Sequence, residues 1–143
     1  MSKKSLNKVI FDTNIYIDFL NQSKYSDRIY NPDYLVYLSS VVLMELFAGS
    51  SVKEEIRDLE KLCKLYKRKN KLIVPSVEDY IEAGKIAAKM IANLGYDLKK
   101  SYWLLNDILI ALSSQRIGAI VITQNRKDFE AIKKFKKISF IAI

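Results

Sequence analysis

The chain has no histidine and only one cysteine among its 143 residues. Without an imidazole there can be no histidine acid–base catalysis, no Ser-His-Asp or Cys-His site and no His-ligated zinc. The lone thiol, Cys63 in EKLCKLYK, can close neither an internal disulfide nor a multi-thiolate metal site. It is expected to be a small buried hydrophobe. Four glycines, two prolines and a half-apolar composition leave little room for disordered or fibrous structure. Long apolar runs are missing as well. None approaches the roughly 20 residues of a membrane span. The N-terminal MSKKSLNKVIFD reaches Asp12 after three consecutive apolar residues, too few for the core of a signal peptide. One cytoplasmic domain, residues 1–143, is the expectation, with no membrane association. Any chemistry must come from carboxylates, amides, hydroxyls, lysine or arginine.

What the chain does have is positive charge. The formal net charge is +8, concentrated in KLYKRKNK (64–71), LKK (98–100) and NRKDFEAIKKFKK (125–137). Such a balance suits a polyanion, nucleic acid above all. It equally suits solvated lysine-rich helix faces. Charge proposes a partner here without identifying one.

Apolar runs alternate with helical periodicity along the chain. VIF before Asp12, LVYLSS (35–40), LIV (72–74), AIVIT (119–123) and ISFIAI (138–143) read as strands. Between them NIYIDFL, VVLMELFAG, residues 52–69, VEDYIEAGKIAAKMIANL, WLLNDILIALSSQRI and DFEAIKKF read as helices. Ser39 or Ser40 can cap the second of these and Gly49 can end it, while Pro75-Ser76 opens the fourth and Gly95 closes it. NQSKYSDRIYNPD, polar and turn-rich, reads as a loop. Strands that are continuous apolar runs, separated by helices, argue for an α/β domain with a parallel sheet covered on both faces.

Three acids break that apolar pattern: Asp12 in VIFDTNIYI, Glu45 in VVLMELFAG and Asp107 in LLNDILIAL. An acid at an element boundary is ordinarily a cap. Glu45 lies inside its predicted helix, and Asp107 follows Trp103, Leu104 and Leu105, so capping explains neither. Within four residues of the three acids the only cation is Lys8, so local ion pairs cannot neutralise them. Were they to converge, each would raise the others' pKa unless a cation sat among them. Oxygen donors without His or Cys select a hard ion, Mg²⁺ or Mn²⁺. Position favours convergence, because ligands gather at the carboxyl ends of strands in open parallel sheets. Asp12 ends one strand, Glu45 follows another, and TQNRKDF follows AIVIT.

At these residues the sequence resembles the PIN-domain ribonucleases, and within them the VapC toxins of toxin–antitoxin pairs. The resemblance rests on DTN at 12–14, the ELFAG helix with Glu45, NDILIA with Asp107 and VITQNRKDF at 121–129, in the family's order and across nearly the whole chain. It implies a three-layer α/β/α sandwich with a central parallel sheet. It implies a Mg²⁺- or Mn²⁺-dependent endoribonuclease, with Asp12 and Asp107 as metal ligands and Glu45 as a further ligand or the group that activates water. Asn14 matches the polar residue of the first motif and Thr123 the hydroxyl of the last. With Asn125 they would orient the carboxylates by hydrogen bonds, although turn and cap chemistry suits all three. Many members place a fourth acid two residues after that Thr, where this chain has Asn125. Asp128 is the candidate to take its part in catalysis, or else it caps the helix DFEAI. A cognate antitoxin and a homodimer follow from the resemblance, as does an RNA substrate held by the cations of 126–137.

Tyr25, Tyr30, Tyr34 and Tyr37 cluster around the first loop, where they could stack on bases, line a partner groove or finish the core edge. Three rival readings stand beside the nuclease. A non-catalytic RNA-binding protein would use the same basic faces but has no need of the three acids. A haloacid-dehalogenase-type phosphatase wants a second Asp where Asn14 stands. A purely structural α/β subunit is the third, since fold does not guarantee chemistry.

Overall fold

The structure, a computed structural model, describes residues 5–143; the basic start MSKK lies outside them. Five strands form one wholly parallel sheet: β1 (Asn7–Phe11), β2 (Tyr34–Ser39), β3 (Leu72–Ile73), β4 (Ile120–Thr123) and β5 (Phe140–Ala142), in the order β3-β2-β1-β4-β5. The helices are α1 (Thr13–Gln22), α2 (Ser26–Ile29), α3 (Ser40–Ala48), α4 (Lys53–Arg68), α5 (Val77–Leu94), α6 (Leu104–Arg116) and α7 (Arg126–Lys133). Right-handed crossovers put α1 to α4 on one face of this sheet and α5 to α7 on the other. The helix contacts agree, α1 and α4 each packing on α3, and α5, α6 and α7 on one another. The result is the expected three-layer α/β/α sandwich.

β1 is central because its residues tolerate no water. Val9, Ile10 and Phe11 are 1 % exposed or less, paired with Val36 and Tyr37 of β2 on one side and Ile120 to Ile122 of β4 on the other. The chain leaves β1 toward β2, and the later strands β4 and β5 add on its opposite edge. The strand order therefore reverses between β1 and β4. A crevice opens at such a switch point, at the carboxyl ends of the two strands, and Asp12 and Thr123 stand at those two ends.

Several boundaries differ from expectation for local reasons. NQSKYSDRIYNPD is not all loop: α1 runs on to Gln22, and Ser26–Ile29 makes one helical turn. Ser23 and Tyr25 take left-handed φ values of 55° and 63° on either side of the break. Gly49 ends α3 with a right-handed φ of −86°, so it is not there for conformational freedom. Gly95 is: φ is 71° where α5 stops. Cys63 is half-buried, packed against the core rather than inside it. Of the four tyrosines, Tyr25, Tyr34 and Tyr37 pack on the core and Tyr30 is exposed. Among the described residues no helix is long and apolar enough to cross a membrane.

Ser76 opens α5 with a full capping box: its hydroxyl accepts the Asp79 N–H at 3.1 Å and Asp79 accepts the Ser76 N–H at 2.9 Å. Arg116 of α6 then pairs with Asp79 at 3.2 Å, joining the two helices. Ser76→Ala is expected to lower stability by about 1 kcal/mol, read as a lower urea midpoint with an unchanged slope. No loss would mean that water replaces the cap fully.

Candidate active site

Asp12, the residue after β1, is 4 % exposed. It is the N-cap of α1, but only one of its oxygens serves as such: Oδ1 accepts the Thr13 N–H at 2.8 Å. Oδ2 accepts the Thr123 hydroxyl at 2.7 Å across the switch point. That hydroxyl in turn accepts the Asn125 N–H at 2.9 Å. Capping is thus part of the explanation of Asp12, and half of its hydrogen-bonding capacity is turned to β4.

Glu45 comes from α3, which Ser39 caps by accepting the Val41 N–H at 3.1 Å. Its Oε1 accepts the Thr13 hydroxyl at 2.8 Å. Asp107 lies in the first turn of α6, one residue closer to its start than the sequence suggests, because the helix begins at Leu104 with Trp103 as its cap. Asp107 does not cap; its own N–H bonds the Trp103 carbonyl at 3.0 Å. Its Oδ2 accepts Asn125 Nδ2 at 3.2 Å. α3 and α6 belong to opposite layers yet touch each other, which brings Glu45 and Asp107 to one place. The cleft there is lined by Asp12, Thr13, Asn14, Ile17, Glu45, Trp103, Asp107 and Asn125.

Asn14 is exposed at the cleft wall. Asp128 is not among the cleft residues. It sits behind, buried, at the third position of α7; Asn125, not Asp128, is the cap of that helix, accepting the Asp128 N–H at 3.3 Å. Asp128 Oδ1 accepts the Tyr96 hydroxyl at 2.7 Å, and Oδ2 accepts Asn125 Nδ2 at 2.7 Å and Trp103 Nε1 at 3.3 Å. Asn125 thereby links Asp107 to Asp128 through one carboxamide.

Thr13, Tyr96 and Trp103 were not singled out in the sequence. Thr13 had a signal, a hydroxyl between two motif residues. Tyr96 and Trp103 had none, because they reach Asp128 only through the packing of the segment between α5 and α6 on α7.

None of the ion pairs among the described residues involves Asp12, Glu45, Asp107 or Asp128. The electrostatic consequence is large. Burial, then the charges of Asp12, Asp128 and Glu45, push Asp107 up to about 9 against the relief from Asn125. Burial raises Asp12, opposed by Thr123 and Thr13. Burial and the charge of Asp12 raise Glu45, opposed by Thr13 and Asn106. Among the described residues no three acidic, histidine or cysteine side chains are grouped closely enough to hold an ion as they stand. What the structure displays is a shared cleft of acids with no cation paired to them among the described residues, not a closed cage. The donors are all oxygens, the chemistry that suits a hard dication.

A parallel α/β/α sandwich with carboxylates at the switch point is the class of protein that fold and site define. Residues 9–135 match the PIN domain family, and the chain belongs to it. No curated protein matches the sequence. Solved structures do. A chain of the DNA-bound VapBC of Salmonella typhimurium superposes with a TM-score of 0.68 at 22% identity, over 96% of this chain and 98% of that one. VapBC-1 of nontypeable Haemophilus influenzae gives 0.64 at 22% identity, over 94% and 97%. VapBC2 of Rickettsia felis, bound to a promoter DNA fragment, gives 0.65 at 20% identity, over 95% and 98%. At these identities the likeness concerns the fold.

Proposed function

We propose that the protein is a divalent-metal-dependent endoribonuclease of VapC type, the toxin of a type II toxin–antitoxin pair. The single observation that carries this reading is the set of carboxylates facing one crevice with no cation paired to them among the described residues. Asp12 and Asp107 would hold Mg²⁺ or Mn²⁺, with Glu45 at its side. When bound, such an ion supplies the positive charge that phosphodiester hydrolysis needs at the attacked phosphate.

The chain's own residues do the rest. Thr13 N–H and the Thr123 hydroxyl hold both oxygens of Asp12 still. Glu45, half-buried and with a raised pKa, is placed to orient a water molecule and take its proton. Asn125 steadies Asp107, and Asp128 steadies Asn125. Asp128 acts in this reading through Asn125 and not by touching substrate. Asn14, exposed on the cleft wall, is available to an incoming phosphate or to water. Arg126, Lys127 and Lys134 line an open groove next to Tyr96 and suit an RNA backbone.

A groove beside Glu45, lined by Ile17, Leu20, Leu46 and Leu59 and edged by Asn21, Glu55 and Asp58, supports an inhibitory antitoxin reaching toward the site. Val77, Tyr80, Ile81 and Ile91 form an exposed apolar stripe along α5, which supports a homodimer. The similar structures are of VapBC proteins, which favours the same partner class.

The test is cleavage of RNA in Mg²⁺ or Mn²⁺, with and without chelator, by the wild type and by Asp12→Asn. Cleavage is expected to need the ion and to be lost in the variant. Activity indifferent to both would leave the alternative, an RNA-binding protein without catalysis, which would hold RNA intact in chelator.

A further inference from the structure

Trp103 is fixed twice. Its carbonyl accepts the Asp107 N–H at 3.0 Å at the start of α6, and its indole N–H donates to Asp128 at 3.3 Å. Held this way, the ring lines the same cleft as Asp12, Glu45 and Asp107, yet 38 % of the residue remains exposed. Tyr102 stands against it edge-on, ring centroids 5.0 Å apart and planes at 78°, and is 75 % exposed. Two large aromatic rings are therefore presented to solvent at the rim of an acidic crevice, one of them tethered through a polar atom. Tethering removes rotamer freedom before any ligand arrives, which is what a recognition ring needs.

We propose that Trp103, with Tyr102 at its edge, is the stacking platform for an unpaired base of the RNA whose phosphate enters the crevice. The proposal rests on the nuclease reading and names the form of its substrate. A π-face accepts any base, but a base inside a duplex has both of its faces covered by neighbours. Only a single-stranded or extruded nucleotide can place its phosphate at Asp12 and Asp107 and its base on Trp103. Trp103 itself lines the cleft, and Tyr96, which lines the cationic groove of Arg126, Lys127 and Lys134, donates to the same Asp128 carboxylate that holds Trp103. This favours a nucleic acid over a protein as its occupant.

Trp103 is the only tryptophan in the chain, so intrinsic fluorescence reports on it alone. Full-length Asp12→Asn protein in Mg²⁺ is titrated with a single-stranded oligoribonucleotide and with a duplex of the same sequence. The single strand is expected to quench the emission and the duplex to leave it nearly unchanged. By anisotropy of labelled RNA, Trp103→Leu should bind the single strand roughly 5- to 100-fold more weakly, whereas Trp103→Phe, which keeps a ring, should retain most of the affinity. Binding with unchanged emission, or Trp103→Leu binding as tightly as its parent, overturns the platform, leaves the nuclease reading intact and points to a protein-facing surface. Quenching by the single strand with no cleavage by the wild type upholds the platform and counts against the nuclease reading alone.

Discussion

Replacing Asp107 by asparagine is expected to abolish RNA cleavage and, in metal-free buffer at about pH 8, to raise the melting temperature. The two effects have one cause. Asp107 is 5 % exposed, and its neighbours Asp12, Asp128 and Glu45 are acids. Ionising it without a cation alongside takes a charge out of water and sets it against like charges, which is why its pKa is pushed up to about 9. Asparagine has the same shape, keeps an oxygen to accept Asn125 Nδ2, and cannot ionise. Since each pH unit of displacement corresponds to about 1.4 kcal/mol, relief of even part of it should be visible. A kcal/mol raises the melting temperature of a chain this size by roughly 3–6 °C. Cleavage should fall by more than about a hundredfold, because altering groups that merely orient metal ligands already costs about 10- to 100-fold. A melting temperature that drops would show that Asp107 is a structural acid with a partner. Undiminished cleavage would remove it from the site.

A second large effect is expected in the pH dependence of stability of the metal-free protein. Between the ordinary Asp value of 3.8 and about 9, the folded chain keeps a proton on Asp107 that the unfolded chain releases. The folded state then binds more protons, so stability must fall as pH rises across this window and level off above it. Asp12 and Glu45, both raised, act in the same direction. With no histidine in the chain, few other groups titrate between about pH 5 and 9, so the slope belongs to these acids. Urea unfolding at a series of pH values should show the decline in the wild type and a flatter profile in Asp107→Asn. Mg²⁺ or Mn²⁺ should restore stability at the alkaline end of the wild-type profile, by about 2.7 kcal/mol at a hundred times its dissociation constant. Stability that climbs steadily from pH 5 to 9 would mean that the acids are neutralised in the fold.

The two predictions also show how the site was and was not legible beforehand. Asp12, Glu45 and Asp107 stood out because carboxylates in apolar sequence without neighbouring cations are costly. That cost is local enough to be seen in a string of letters. Asp128 stood out less, since an acid near a helix start is usually a cap. In the fold Asn125 takes the cap, and Asp128 is left to hold Tyr96, Trp103 and Asn125. Which of two polar residues three apart becomes the cap depends on where α7 starts. The sequence pattern placed that start two residues late.

Trp103 shows the same limit from the other side. It reads as the first apolar residue of a helix, and it is the residue that caps it, with its ring turned to the cleft. Thr13 reads as filler between Asp12 and Asn14, yet it binds both Asp12 and Glu45.

Period and composition alone determined that this chain folds as alternating strands and helices around a parallel sheet, that histidine and multi-thiolate chemistry are excluded, and that three particular acids need an explanation. Those conclusions depend on the cost of burying charge and on the two-residue and 3.6-residue repeats, which neighbouring positions carry. The tertiary structure decided which polar groups meet. Thr123 reaches Asp12 across 111 residues, and Asn125 lies between Asp107 and Asp128, because β4 inserts beside β1 while α3 and α6 touch from opposite layers. Strand order and layer contact are properties of the whole packed chain, and no stretch of sequence contains them.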